Sequence, residues 1–132
     1  MQDDAGARDV PQCSLIVDPG PQGPSQARAA VARWAAELGI DRLCDDLLLV
    51  VSELVTNAIR HGTPPVRLSV CAEARVVIVT VTDAAPSEPV RRGVADEAEG
   101  GRGLLLIDLL TERSGVRPEP PGKAVWAEVP RT

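Results

Sequence analysis

From Glu53 to Gly62 the chain reads Glu-Leu-Val-Thr-Asn-Ala-Ile-Arg-His-Gly, setting a carboxylate and a carboxamide four residues apart near the end of an apolar helical pattern. In a helix that spacing puts both groups on one face, one turn apart. At about 100° per residue, Asp46, Glu53, Asn57 and Arg60 fall within roughly 60° of one another, whereas Leu43, Leu47, Leu48, Val51, Leu54, Val55, Ala58 and Ile59 sweep the other side. An amide oxygen such as that of Asn57 can give one ligand to a Mg²⁺ that keeps several waters and binds substrate phosphates. A carboxylate one turn away, Glu53, can orient or deprotonate an attacking hydroxyl. The same pattern also fits a solvated stripe on an ordinary amphipathic helix, so other segments must decide.

Three segments bear on that choice. Asp83 ends the run Arg75-Val-Val-Ile-Val-Thr-Val-Thr-Asp83, a strand by its β-branched content, and period 2 places it on the face of Val77, Val79 and Val81. A carboxylate at the end of a core-facing row marks the edge of a cavity. Further on, Gly100-Gly101-Arg102-Gly103 precedes the apolar run Leu104–Leu110, so glycine N–H groups stand at the positive end of a helix, where phosphate oxygens are well received. Between them, Ala84 to Glu99 carries Pro86, Pro89, Gly93 and several charges without periodicity, and reads as a lid.

The elements that must position these groups follow in order. Residues 1–11 are polar and read as a flexible terminus, and residues 12–132 as a single domain beginning with a strand near Cys13–Val17. Ser25 is placed to cap a helix with apolar Ala27, Ala30, Val31, Trp34, Ala35 and Leu38, stopped by Gly39. Asp41 is placed to cap the long helix from Leu43 to about Arg60, which Gly62-Thr-Pro-Pro65 ends. Val66–Ala72 and Arg75–Thr82 form consecutive strands around Glu73-Ala74, a connection tight enough for an antiparallel pair. A turn-rich stretch, Val116 to Gly122, has room for one short strand, and Lys123–Val129 is the last strand. One sheet with helices on one face is the two-layer solution.

Composition narrows the function classes. A chain of 132 residues suffices for one core, and a net charge of −5 with a pI of about 4.8 argues against direct nucleic-acid binding, which needs a basic face. Cys13, Cys44 and Cys71 lack metal-ligand spacing and read as reduced cytosolic thiols serving as small buried hydrophobes, and no run of about 18 apolar residues calls for a membrane span. Gly122-Lys123 is no phosphate-cradling P-loop, because a strand follows it and Ala124 stands where a hydroxyl is needed; an edge of the sheet is the simpler reading. His61 reads as a capping cation at a helix C-terminus, and Trp34 and Trp126 as core.

Taken together, Glu53-x-x-x-Asn57, Asn57-Ala58 followed by His61-Gly62, the Asp83-Ala-Ala-Pro86 turn, Glu99-Gly-Gly-Arg-Gly-Leu104 and Gly122-Lys-Ala-Val-Trp126 resemble the superfamily of gyrase-type ATPases, sensor histidine kinases and anti-sigma-factor serine kinases. They are most similar to its short, single-domain anti-sigma-type branch, and the resemblance runs from about Leu15 to Val129. It implies a Bergerat-type α+β fold: a two-layer sandwich of a mixed, mainly antiparallel sheet with helices on one face. It further implies ATP and Mg²⁺ as cofactors, with Asn57 holding the metal, Asp83 accepting from the adenine amine, Gly101, Arg102, Gly103 and Leu104 closing on the phosphates, and Glu53 as catalytic base.

By the same resemblance the chain is a cytoplasmic partner-switching regulator, a serine/threonine kinase acting on an anti-sigma antagonist, with a sigma factor or that antagonist as partner and homodimerisation as a family trait. A non-catalytic adaptor with a degenerate nucleotide site is the alternative. Larger relatives carry two glycines after the aspartate, where this chain has Ala84, Ala85 and Pro86. With no Phe or Tyr in the chain, the base would pack against aliphatic side chains. Replacement of Asp83 by Asn is expected to abolish adenine selectivity and leave the fold intact.

Overall fold

The computed structural model of the chain describes residues 10–86 and 107–131. In chain order these form β1 (Gln12–Val17), α1 (Gly23–Leu38), a 3₁₀ turn (Asp41–Leu43), α2 (Cys44–His61), β2 (Val66–Ala72), β3 (Val76–Asp83), helical residues 107–110, β4 (Arg113–Glu119) and β5 (Gly122–Pro130). The strands make one sheet in the order β1-β2-β3-β5-β4, and every pairing among them is antiparallel. The glycine turn at Gly101–Leu104 and the lid segment beyond Pro86 lie outside the described residues.

Period 2 organises the sheet. Val77, Val79, Val81 and Asp83 of β3 alternate strictly with less buried neighbours, and Val66, Leu68, Val70 and Ala72 of β2 do the same. Opposite them in register stand Val125, Ala127 and Val129 of β5, so the valine rows of three adjacent strands share one face. Both helices cover that face: α1 lies against β1 and α2, and α2 crosses β2, β3 and β5. Ala27, Val31 and Ala35 of α1 and Leu47, Val50, Val51, Leu54 and Val55 of α2 close the core. Burial of each such valine or leucine is worth about 1.5–3 kcal/mol, and this layer carries most of the favourable energy of folding.

Helix starts differ from the sequence expectation. Helix α1 begins at Gly23, before Ser25, with Gln22 as N-cap and no side-chain cap bond. Pro24 in the first turn supplies a preset φ, and Gly23 fits because a Cβ there would stand 2.2 Å from the Asp18 carbonyl oxygen. Asp18 organises the approach instead: its Oδ1 accepts from Gly20 N at 2.8 Å, and its own N–H donates to Gln26 Oε1 at 2.9 Å. Helix α2 takes Leu43 as N-cap, since Asp41 is drawn into the preceding 3₁₀ turn. Asp45 and Asp46 in its first turn and Arg60 and His61 in its last complement the helix dipole. Gly39 ends α1 in the left-handed region at φ 73°, as its position predicts.

The far end of the sheet also departs from expectation. The turn-rich stretch carries a full strand, β4, which pairs with β5 along its length and leaves β5 interior. Pro118, Arg113 and Arg117 blunt this edge against further pairing. Trp126 belongs to the opposite face from the core: Gly115 lies against its ring, Arg113 stacks 5.7 Å from its centroid, and Glu128 pairs with Arg113 at 3.7 Å. Trp34 is half-buried against the main core. The three cysteines are half-buried and none is in a disulfide. Burial pushes the Cys13 and Cys71 thiols up, with Glu37 adding to the rise at Cys13; at Cys71 a hydrogen bond with Ser69 opposes it and Glu73 adds to it. No described helix is long and apolar enough to cross a membrane.

Leu47→Ala should cost about 2–5 kcal/mol in urea unfolding, because Leu47 is fully buried between helix and sheet, whereas exposed Asp46→Ala should stay within about 0.5 kcal/mol.

Candidate functional site

The polar stripe of α2 is less solvated than its composition implies. Asp46 and Arg60 at its ends are exposed, but Glu53 and Asn57 in its middle are half-buried. Val50, about 20° beyond Asn57 at the edge of this sector, is completely buried. The stripe is therefore a boundary between core and solvent. Ser52, beside Glu53, accepts from Arg28 Nη1 at 2.9 Å, which ties this part of α2 to α1.

Helix α2 ends against Asp83. Gly62 closes the helix by donating to the Ala58 carbonyl at 2.8 Å and continues in extended conformation. Its lack of a side chain is required by space: a Cβ there would lie 2.5 Å from Asp83 Cγ and 2.6 Å from Oδ2. The five steps from Asn57 to Gly62 rise about 7.5 Å along the helix axis, so Asn57 lies roughly one and a half turns before the glycine that packs on Asp83. The backbone of the next residues completes the junction: Ala84 N donates to Thr63 O at 2.7 Å, and Thr63 N points at Asp83 Oδ1 at 3.4 Å.

Asp83 is held from every side. Its Oδ1 accepts from Ala85 N at 2.7 Å, a turn closed by the side chain, and among the described residues only Gly39 takes a positive φ. The missing glycines after Asp83 therefore leave no strained backbone. From β5, Lys123 Nζ reaches Oδ1 at 3.0 Å and Oδ2 at 2.8 Å, the two residues being direct partners in the β3–β5 register. The side chains of Asp83 and Lys123 are 1% and 7% exposed, respectively. Gly122 precedes the lysine because a Cβ there would lie 1.8 Å from the Asp83 carbonyl oxygen.

Glu53 and Asn57 lie half-buried on α2, the helix whose closing Gly62 packs on Asp83, and Gly101, Arg102, Gly103 and Leu104 lie outside the described residues. Lys123 overturns its reading as a sheet edge: β5 is interior, and the lysine faces the core side. The signal was present in the sequence, since Lys123 alternates with Val125, Ala127 and Val129. What could not be read was the register that sets it opposite Asp83.

Truncating either of two buried ions so paired leaves the other without compensation. Asp83→Ala should cost about 3–5 kcal/mol because it strands the Lys123 ammonium, and Asp83→Asn should not be fold-neutral as the sequence alone led one to expect. Combining Asp83→Ala with Lys123→Met should cost less than the sum of the single changes in urea unfolding.

Comparison with known proteins bears directly on this geometry. The family model for the histidine kinase-like ATPase domain matches residues 19–129, a span that contains both helices, β2 to β4, all but the last residue of β5, and the Asp83 junction. Among solved structures, the chain is similar to that of the RsbU and RsbW domains of Rv1364c from Mycobacterium tuberculosis, with a TM-score of 0.65 at 20% identity over 91% of this chain. It spans 33% of that chain, and at this identity the likeness is one of fold. No curated protein matches. With most of its length matched by one family model, the chain belongs to the histidine kinase-like ATPase domain family.

Proposed function

We propose that the protein is an ATP-binding regulator of the anti-sigma type that transfers phosphate to a serine or threonine of an antagonist protein. The observation that carries the reading is that Glu53 and Asn57 lie half-buried on one face of the helix that ends at the Asp83 junction, inside the span matched by an ATPase family model. ATP binding is what that family implies. The finer assignments are proposals: Asn57 gives an amide oxygen to Mg²⁺, Asp83 accepts from the adenine amine, Gly101, Arg102, Gly103 and Leu104 close on the phosphates, and Glu53 draws the proton from the attacking hydroxyl.

The donor set suits this use of the metal. Among the described residues no three His, Cys, Asp or Glu side chains cluster, so the protein offers no metal cage of its own there. A Mg²⁺ that takes one amide oxygen and completes its shell with phosphates and waters asks for none. The partner side of the proposal, a sigma factor or its antagonist met in the cytoplasm by a homodimer, draws on the resemblance to anti-sigma kinases. The net charge of −5 agrees with protein partners in place of nucleic acid.

One observation favours the adaptor alternative. The Asp83 carboxylate, which should meet the base, is enclosed and ion-paired within the protein. An adaptor would keep this pair to fix the β3–β5 junction and bind its partner through its surface.

Saturating Mg·ATP should raise the melting temperature, as a ligand selective for the folded state does. Asn57→Ala should weaken Mg-dependent ATP binding, whereas Glu53→Ala should leave binding nearly unchanged and lower phosphate transfer to a captured partner by roughly 10²- to 10⁴-fold. Neither thermal shift nor calorimetric heat with millimolar Mg·ATP would leave the adaptor reading in its place.

A further inference from the structure

Lys123 is the chain's sole lysine, and the proposed chemistry assigns it no task. Its position relative to the base-reading carboxylate gives it one. A carboxylate offers about four acceptor positions. At Asp83, Oδ1 accepts from Ala85 N at 2.7 Å and Lys123 Nζ at 3.0 Å, with Thr63 N at 3.4 Å beyond them, and is filled. Oδ2 accepts from Lys123 Nζ at 2.8 Å, and its remaining position is closed, because the Gly62 backbone packs against this oxygen and the side chain is 1% exposed. A purine amine arriving as a hydrogen-bond donor competes with the ammonium for the same oxygens.

We propose that Lys123 sets the nucleotide affinity of this site, because adenine can be accepted at Asp83 only by drawing the ammonium off at least one carboxylate oxygen. The inference rests on the reading of Asp83 as base acceptor. It assigns the β5 lysine a function that neither a sheet edge nor a plain structural ion pair would have. Part of the binding energy of the base is consumed in loosening a buried charge pair, so affinity is held down by the pair that orients this junction in the apo protein. A neutral side chain that makes a single bond to Asp83 removes that competition.

The test uses the single lysine as a probe. Protein labelled with ¹³C and ¹⁵N at lysine gives one lysine side-chain signal, which can be followed as Mg·ATP is added in parallel with calorimetry. The Lys123 signal should move along the same curve as the heat. Lys123→Gln should bind Mg·ATP about threefold to tenfold tighter than the parent, the range spanned by one net hydrogen bond. Heat from the parent with an unmoved Lys123 signal overturns the inference and leaves ATP binding standing. A Lys123→Gln protein that is folded by circular dichroism and binds no tighter overturns it equally. Binding by Lys123→Gln where the parent gives no heat supports it, and no binding by either protein removes the ATP reading and this inference with it. Should Lys123→Gln fail to fold, the signal of the labelled parent decides.

Discussion

A buried ion pair at one end of the sheet joins more elements of this protein than any other described polar contact. Asp83 closes β3, Lys123 opens β5, and the register sets them face to face at the point where α2 runs out and the chain turns into β2. Neither charge reaches bulk water to any useful degree, so each must be satisfied within the protein. The lysine supplies two contacts and the backbone of Ala85 a third, and the two glycines that flank the site exist to let main chain approach it. Attraction between such charges is offset by the cost of drying them, and the pair earns its place through orientation more than through net stability.

That orientation passes directly to α2. Because Gly62 is pressed against the carboxylate, the C-terminal turn of the helix has one position relative to β3, and with it the half-buried Asn57 and Glu53 farther down. The helix is anchored at this end by polar contacts and along its length by Leu47, Val50, Val51, Leu54 and Val55 against the valine rows. Arg28, bonded to Ser52, adds a link to α1 beside Glu53. Glu53 and Asn57 are thus held on a rigid element of the fold.

The two faces of the sheet divide the labour. The inner face is aliphatic and packs the helices, while the outer face alternates polar residues with Trp126, which lies over Gly115 and under Arg113. The edge strand β4 is exposed and charged, and its pairing with β5 moves Lys123 from an edge to the interior. A lysine on an edge strand would keep its ammonium in water; one strand farther in, it needs a counter-ion.

The sequence by itself determined what repeats. Period 2 gave β2 and β3 and put Asp83 on the core face, period 3.6 gave both helices, and Gly39 and Gly62 marked their ends, since these signals are local and are written in consecutive residues. The Glu53/Asn57 pair, the aspartate and the family resemblance were legible for the same reason. Tertiary structure decided what depends on strand order: that β4 is a full strand, that Lys123 is interior and bonded to Asp83, and that Trp126 lies outside the core. It also decided that Val50, at the edge of the polar sector of α2, is buried, because burial follows from how the helix is rolled onto the sheet. Helix starts went to Gln22 and Leu43 and not to Ser25 and Asp41, because Pro24 and a 3₁₀ turn competed locally with side-chain caps of similar energy. A cross-strand partner forty residues away in sequence leaves no local trace; only the register of β3 on β5 brings the two charges together.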